Sequence, residues 1–251
     1  MIDFVQINSK KGYIRGTVHH NRPLSDYSEV SLILHGYLSS NRIGPHRLYF
    51  QIAEKLSSQR DVCVARFDCL AMGESDGVID EITFDDFLYS YECIFSFFKS
   101  TYDISKFRLI GHCLGANLAI HLAVKYPENI SKLILLAPSI NLKIGDGIIT
   151  KKQYDELSVS GYTLRKGLYA DRSFFFDNNS SESVLSLLGS INVPIAIFES
   201  EKDEYVESVK LKITSQMCNI IEIKDADHNF LEPQLARVEL LTKVLMEYSM
   251  R

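Results

Sequence analysis

Cys113 is the residue whose type and surroundings most clearly predict chemistry. It stands in the pentapeptide Gly111-His112-Cys113-Leu114-Gly115, with glycine two positions before it and two positions after it. A nucleophile on a sharp turn from a strand into a helix has strained backbone angles, and only small neighbours avoid collision there. The following helix directs its N-terminal amides at the sulfur and favours a thiolate. The pattern predicts a nucleophile, whereas the alternative is a buried, inert cysteine with glycines that serve packing.

Two further side chains would complete a catalytic triad with this cysteine. His228, in the segment DADHNF, follows the last predicted strand, and sites of parallel sheets assemble at that end of the strands. Asp203, in FESEKDEYV, follows the preceding strand and could orient the imidazole. Glu201, Glu204 and Asp227 compete for this role. Asp203 is preferred because it is short, lies at the predicted turn and precedes the next helix.

Two backbone amides are predicted to bind the oxyanion that forms when a nucleophile attacks a carbonyl group. One belongs to Leu114, directly after the nucleophile, and the other to Tyr37 in the segment LHGY after an early strand. His35, in the same segment, could be read as catalytic. We favour a structural role for His35, in which it bonds to the loop backbone.

Alternating strands and helices must position these residues. Strands are expected at residues 13–19, 30–36, 62–68, 107–111, 132–138, 195–200 and 220–225, and helices at residues 47–59, 84–100, 115–125 and 232–250. Because the strands are continuously apolar and lie between helices, they predict an α/β fold with a mostly parallel sheet covered on both faces.

One long segment, residues 141–190, interrupts this alternation and contains no clear strand. Fifty residues are too many for a plain loop, so we expect a small, mostly helical cap inserted into a core formed by residues 1–140 and 191–251. Its aromatic residues argue against a disordered insert. Phe174, Phe175 and Phe176 are expected either to line an apolar acyl pocket or to anchor the cap to the core.

Composition excludes several other classes of protein. Of 251 residues, 46% are hydrophobic and 24% charged, and the net charge of −5 argues against nucleic-acid and anionic-membrane partners. No apolar run approaches the roughly 20 residues of a spanning helix, and no signal peptide is evident, so a cytoplasmic location is expected. The five cysteines form no CxxC pair, which indicates neither a disulfide framework nor a zinc site.

The motifs together resemble those of α/β-hydrolases over almost the whole chain. The matching pieces are His35-Gly36, RFDCLAMGESDG at residues 66–77, the turn at Cys113, Asp203, and DHNF at residues 227–230. The order nucleophile, acid, base is the order of that fold. The stretch SSNRIGPHRLYFQIAEKL and residues 66–77 resemble in particular small-capped esterases related to bacterial feruloyl and cinnamoyl esterases. This resemblance implies cleavage of esters of small acyl or aromatic acids without a cofactor.

The resemblance includes two departures, since Cys113 stands where such enzymes have Ser and Leu70-Ala71-Met72 stands where they have Arg-Gly-His. Three explanations of the cysteine remain open: a native thiol nucleophile, an engineered replacement of Ser, and a site that has become a binding module. Hydrolysis of a small-molecule ester, lactone or thioester through Cys113, His228 and Asp203 is the leading prediction. The alternatives are acyl transfer to a carrier or other acceptor, and a ligand-binding protein without catalysis.

Overall fold

Short runs of valine, isoleucine and leucine form the strands in the computed structural model, which describes residues 1–37, 41–140, 151–160, 162–165, 168–171, 181–206, 208 and 218–250. The strands within these ranges are, in chain order, β1 (Ile2–Ser9), β2 (Gly12–His19), β3 (Glu29–Leu34), β4 (Val64–Phe67), β5 (Lys106–His112), β6 (Ile130–Leu136), β7 (Tyr162–Arg165), β8 (Leu168–Asp171), β9 (Ile195–Ser200) and β10 (Cys218–Ile223). Eight of them form one sheet, and β7 pairs with β8 alone.

The large sheet is mostly parallel, as the sequence predicts. Its order is β1-β2-β4-β3-β5-β6-β9-β10, and the strands from β4 to β10 run parallel to one another. At the other edge, β2 is antiparallel to β4 and β1 is antiparallel to β2. Strand β1 was not expected from the sequence. The predicted site residues lie in the loops after β3, β5, β9 and β10. These loops therefore begin at the same end of the parallel strands.

Six helices occur in the described part of the chain, namely α1 (Leu48–Ser57), α2 (Phe84–Tyr102), α3 (Leu114–Lys125), α4 (Lys151–Ser160), α5 (Ser181–Gly189) and α6 (Gln234–Ser249). The four helices predicted for the core are α1, α2, α3 and α6, each within about two residues of its expected bounds. Helix α2 begins at a capping box, in which the Thr83 hydroxyl accepts from the Asp86 amide and the Asp86 carboxylate accepts from the Thr83 amide.

Two apolar cores lie on opposite faces of the sheet. Successive strand residues point to opposite faces, so Leu109 packs with α2 and α3, whereas Ile110 packs with α1 and α6. The same division separates Leu133 from Ile134 on the neighbouring strand. This double burial explains why the central strands read as continuous apolar runs rather than alternating ones.

The segment between β6 and β9 contains more than the helices expected of it. Helices α4 and α5 are present, but β7 and β8 form an antiparallel hairpin, so the expectation that residues 141–190 contain no strand is wrong. Phe174, Phe175 and Phe176 lie outside the described residues, as do the rest of residues 172–180 and all of residues 141–150. Within the described ranges, no helix combines the length and the apolar character needed to cross a membrane.

Candidate active site

Cys113 lies at the turn between β5 and α3, where it is the N-cap of the helix. Its backbone has φ 54° and ψ −117°, a conformation that is strained for a residue with a side chain. Neighbouring backbone holds it there, since the Cys113 amide donates to Leu136 O at 3.0 Å. The Cys113 carbonyl accepts from the amide and the hydroxyl of Ser139 at 3.2 Å and 3.1 Å. Strain of this kind, fixed by its surroundings, is typical of functional sites.

The two glycines around Cys113 are required by close approach of backbone atoms. A Cβ on Gly111 would lie 2.5 Å from Ala116 Cα and 2.6 Å from its nitrogen. A Cβ on Gly115 would overlap the carbonyl group of Leu34 and lie 2.8 Å from His35 O. The first glycine lets the helix turn back over β5, and the second lets α3 rest against the end of β3. The steric reason predicted for both glycines is confirmed.

His228 and Asp203 are brought together by the loops after β10 and β9. His228 Nδ1 lies 2.8 Å from Asp203 Oδ2, and the two side chains are only 7% and 5% exposed. The other carboxylate oxygen, Oδ1, accepts from the amides of Tyr205 and Val206 at 2.8 Å and 3.0 Å. Burial opposes ionisation of Asp203, but the bonds from His228 and the two amides hold its pKa below the usual range. Asp203 can therefore orient the imidazole of His228 and stabilise the positive charge of its protonated form.

The His228 imidazole also contacts Cys113, so the three predicted side chains form one cluster. Burial alone would lower the pKa of His228. Electrostatic interaction and a hydrogen bond with each of Cys113 and Asp203 instead raise the pKa of His228 to about 10. The rings of Tyr205 and His228 pack edge to face, with 4.9 Å between the ring centroids. The arrangement allows an imidazolium beside a thiolate, which is a reactive pair.

His35 has the structural role that we favoured for it. The side chain is fully buried; its Nδ1 lies 2.7 Å from Gly36 O, and its Nε2 accepts from the Cys69 amide at 3.0 Å. A neutral imidazole satisfies both bonds, and burial lowers the pKa of His35. His35 therefore joins the loop after β3 to the loop after β4. Tyr37 lies in the first of these loops, and its half-buried ring packs on Phe87.

The motif at residues 66–77 contains an aspartate that fixes the loop after β3. Asp68 is fully buried and accepts from the Arg42 amide at 2.6 Å and from the Glu74 amide at 3.1 Å, besides its ion pair with the Arg42 guanidinium. Gly73 has φ 54°, and a Cβ there would overlap the Asp68 carboxylate. The buried aspartate thus ties residue 42 to the turn after β4.

Sequence reasoning missed two side chains that hold the His228 loop. His112 Nε2 lies 3.1 Å from His228 O, and the His112 ring also contacts Tyr49. Arg237 donates from Nε to Phe230 O at 2.9 Å and from Nη2 to Asn229 O at 2.8 Å. His112 was visible only as a neighbour of the predicted nucleophile, and Arg237 only as one charge in a helix. Across the described ranges, no group of three or more His, Cys, Asp or Glu residues is placed to hold a metal ion.

A strained residue on a strand-to-helix turn, with an acid and a histidine after the last two strands of this sheet, defines the α/β-hydrolase fold. The family described as "alpha/beta hydrolase fold" matches residues 32–155. The structure of Est1E from Butyrivibrio proteoclasticus with ferulic acid bound has a TM-score of 0.75 to this chain. The structural alignment covers 98% of this chain and 100% of Est1E, and the two sequences are 15% identical over it. The structural likeness shows that this chain has the α/β-hydrolase fold, and the family match covers just under half of its residues.

Two curated proteins are also similar in sequence. An abhydrolase domain-containing protein of Schizosaccharomyces pombe is 28% identical over 180 residues, which are 66% of this chain and 62% of that protein. The "Probable lysophospholipase BODYGUARD 1" of Arabidopsis thaliana is 30% identical over 123 residues, which are 48% of this chain and 25% of that protein. The matched region thus spans less than two thirds of either relative.

Proposed function

We infer that this chain is an acyl hydrolase that acts through Cys113, His228 and Asp203 and through a covalent acyl-enzyme. The observation that carries the proposal is the strained Cys113 at the start of α3, in contact with the His228 imidazole that Asp203 holds at 2.8 Å. A structural cysteine would not need positive φ, two close-packed glycines and a buried acid–histidine pair at one place.

In the first step, the Cys113 thiolate attacks the carbonyl carbon of the substrate. A carbon–sulfur bond forms, and the carbonyl π electrons move to oxygen. The Leu114 amide at the helix N-terminus and the Tyr37 amide stabilise this oxyanion. When the intermediate collapses, the bond to the leaving group breaks, and that group takes the proton from the His228 imidazolium. The raised pKa of His228 supports this assignment, because the contacts with Cys113 and Asp203 favour the protonated imidazole.

In the second step, water hydrolyses the thioester. Neutral His228 takes a proton from the attacking water, whose oxygen bonds to the acyl carbon, and the tetrahedral intermediate expels the Cys113 thiolate. Asp203 keeps the imidazole in one orientation throughout, since its carboxylate is fixed by the amides of Tyr205 and Val206. Cys113 and His228 are then ready for another turnover.

The substrate that we propose is a carboxylic ester of a small acyl or aromatic acid, with lactones and thioesters as related candidates. Binding of ferulic acid by Est1E and the lysophospholipase name of the Arabidopsis relative support an ester. Transfer to an acceptor other than water, such as an acyl carrier, is the second candidate, because the thioester on a cysteine can pass its acyl group to an amine or a thiol. The pocket role of Phe174, Phe175 and Phe176, the cap and the cytoplasmic location remain predictions.

Turnover of p-nitrophenyl esters and acyl thioesters, with intact-protein mass spectrometry, tests the proposal. Cys113→Ala should abolish turnover and the acyl adduct, and His228→Ala should lower kcat by about 10³-fold or more. Cys93→Ala is the control, since Cys93 is half-buried like Cys113 but lies on α2. Near-normal turnover in either Cys113→Ala or His228→Ala would reject the triad, whereas a wild-type protein inert to the whole panel would favour the ligand-binding alternative.

A further inference from the structure

A buried chain of hydrogen bonds connects the loop after β3 to the loop after β10. The Gly36 amide donates to Tyr49 Oη at 3.2 Å, and Tyr49 Oη lies 2.8 Å from His112 Nδ1. At the other side of the same ring, His112 Nε2 lies 3.1 Å from the carbonyl oxygen of His228. Tyr49 is fully buried and His112 is 3% exposed, so the bonds are shielded from solvent.

The direction of donation along this chain follows from the groups at its ends. A carbonyl oxygen can only accept, so the proton of the His112 ring is on Nε2 and is donated to His228 O. Nδ1 of the neutral ring then accepts from the Tyr49 hydroxyl, whose oxygen accepts from Gly36. Burial and the neighbouring charge of His228 lower the pKa of His112 to about 3, so the neutral form persists at any neutral pH. Donors aligned in one direction polarise and strengthen one another.

We propose that Tyr49 and His112 are positioning residues that fix the distance between the oxyanion-binding amide and the catalytic base. The proposal rests on the function proposed above. Gly36 directly precedes Tyr37, whose amide is assigned to the oxyanion, and the carbonyl at the other end belongs to His228 itself. Both catalytic loops are therefore anchored to His112, which is covalently next to Cys113.

The packing of the rings gives this series of hydrogen bonds little freedom to adjust. The His112 and Tyr49 rings contact edge to face with 5.7 Å between centroids, and the His112 and His228 rings lie 5.2 Å apart. Displacement of either loop must stretch a buried bond or move a packed ring. Because misplacement of reacting groups by about 1 Å can cost 10²-fold in rate, such a link acts on kcat rather than on substrate binding.

Tyr49→Phe tests the Gly36 end of this series of hydrogen bonds, and Tyr27→Phe is its matched control. Both tyrosines are buried and accept from a backbone amide, and Tyr27 donates to Asn21 Oδ1 at 2.7 Å. Each variant should lose a similar amount of stability. Only Tyr49→Phe should lower kcat, by roughly tenfold or more, with KM within about twofold. Equal kcat in the two variants would overturn the positioning role.

Substitutions of His112 test the His228 end. His112→Leu should lower kcat by about tenfold or more, because it removes the ring nitrogens that pair with His228 O and with the Tyr49 hydroxyl. The amide nitrogen of Gln reaches a position similar to Nε2, so His112→Gln should restore donation to His228 O and recover most of kcat. If Leu and Gln at this position gave the same kcat, the hydrogen bond to His228 would have no role in positioning. Should His112→Leu fail to fold, Tyr49→Phe still decides the question.

The two proposals fail in different ways. Turnover that persists in Cys113→Ala would reject the proposed function. Turnover that depends on Cys113, together with an unimpaired Tyr49→Phe, would reject only the positioning role. Alkylation of Cys113 by iodoacetamide adds a second readout, because it needs the thiolate and His228 but no oxyanion site. Tyr49→Phe should therefore slow ester turnover more than it slows alkylation. An equal effect on both rates would contradict the claim that the hydrogen bond from Gly36 to Tyr49 positions the oxyanion loop.

Discussion

Replacement of Gly115 by Ala is expected to damage both stability and catalysis through one steric contact. A Cβ at this position would overlap the Leu34 carbonyl oxygen and lie 2.5 Å from its carbon, whereas ordinary van der Waals contact begins at about 3.4 Å. Either α3 or the end of β3 must therefore move by at least about 0.9 Å, and by more to relieve the overlap with the oxygen. Leu114 lies on the first of these elements and Tyr37 follows the second, so either movement separates the two amides assigned to the oxyanion.

Overpacking of this kind costs about 2 kcal/mol, and the corresponding fall in Tm is roughly 4–8 °C for a chain of this size. Because a displacement of about 1 Å at a reacting group can cost 10²-fold, kcat should fall by roughly that factor. Thermal melts followed by circular dichroism and kcat from ester hydrolysis measure both effects.

Gly189→Ala is the matched control for this substitution. Gly189 ends helix α5, and a Cβ there would have nothing within 4 Å. That change should leave kcat unaltered and stability equal or higher, since Ala reduces the entropy of the unfolded chain. A Gly115→Ala variant with the Tm and kcat of Gly189→Ala would refute the steric account of the turn.

Two further predictions concern the thiol and the buried imidazole. Cys113→Ser should turn over more slowly than wild type in the ester assay, because an alkoxide needs stronger activation than a thiolate, and a faster Ser variant would show that the site is tuned for serine. Since the folded-state pKa of His112 is about 3, below the usual 6.5, its contribution to stability is complete above pH 6.5 and declines as the pH falls from 6.5 towards 3. Between pH 6 and pH 4, the unfolding free energy from urea denaturation should therefore decrease by about 1.4 kcal/mol per pH unit more in wild type than in His112→Gln. Equal slopes in wild type and His112→Gln would contradict the assigned pKa.

The parts of the fold that sequence predicts well are those with local causes. Continuous apolar runs indicate strands buried on both faces, and two glycines around Cys113 indicate a crowded turn, because both patterns depend on residues close together in the chain. Strand β1 lacks this kind of signal. Most of its residues are exposed, including Phe4 at 81%, and it is held by pairing with β2 at the sheet edge.

The supporting residues of the site could not be predicted for a different reason. Tyr49 and His112 are 63 residues apart, and His112 and His228 are 116 residues apart, so their contacts depend on the assembled sheet. A buried tyrosine on an amphipathic helix is usually a core residue, and nothing in its spacing marks it as a hydrogen-bond partner. The triad could be proposed because its order along the chain is typical of the fold, whereas its supports follow no comparable order.

The same contacts explain why the fold alone does not determine whether residue 113 is cysteine or serine. The turn is held through the amide and carbonyl of Cys113, by Leu136 O and by Ser139, and through the space left at Gly111 and Gly115. None of these contacts uses the sulfur atom. A hydroxyl or a thiol can therefore occupy the same strained position, and the atom at that position decides between an ester and a thioester intermediate without altering the turn. For this reason the kinetics of Cys113→Ser report on the chemistry of the site, while the effect of Gly115→Ala reports on its geometry.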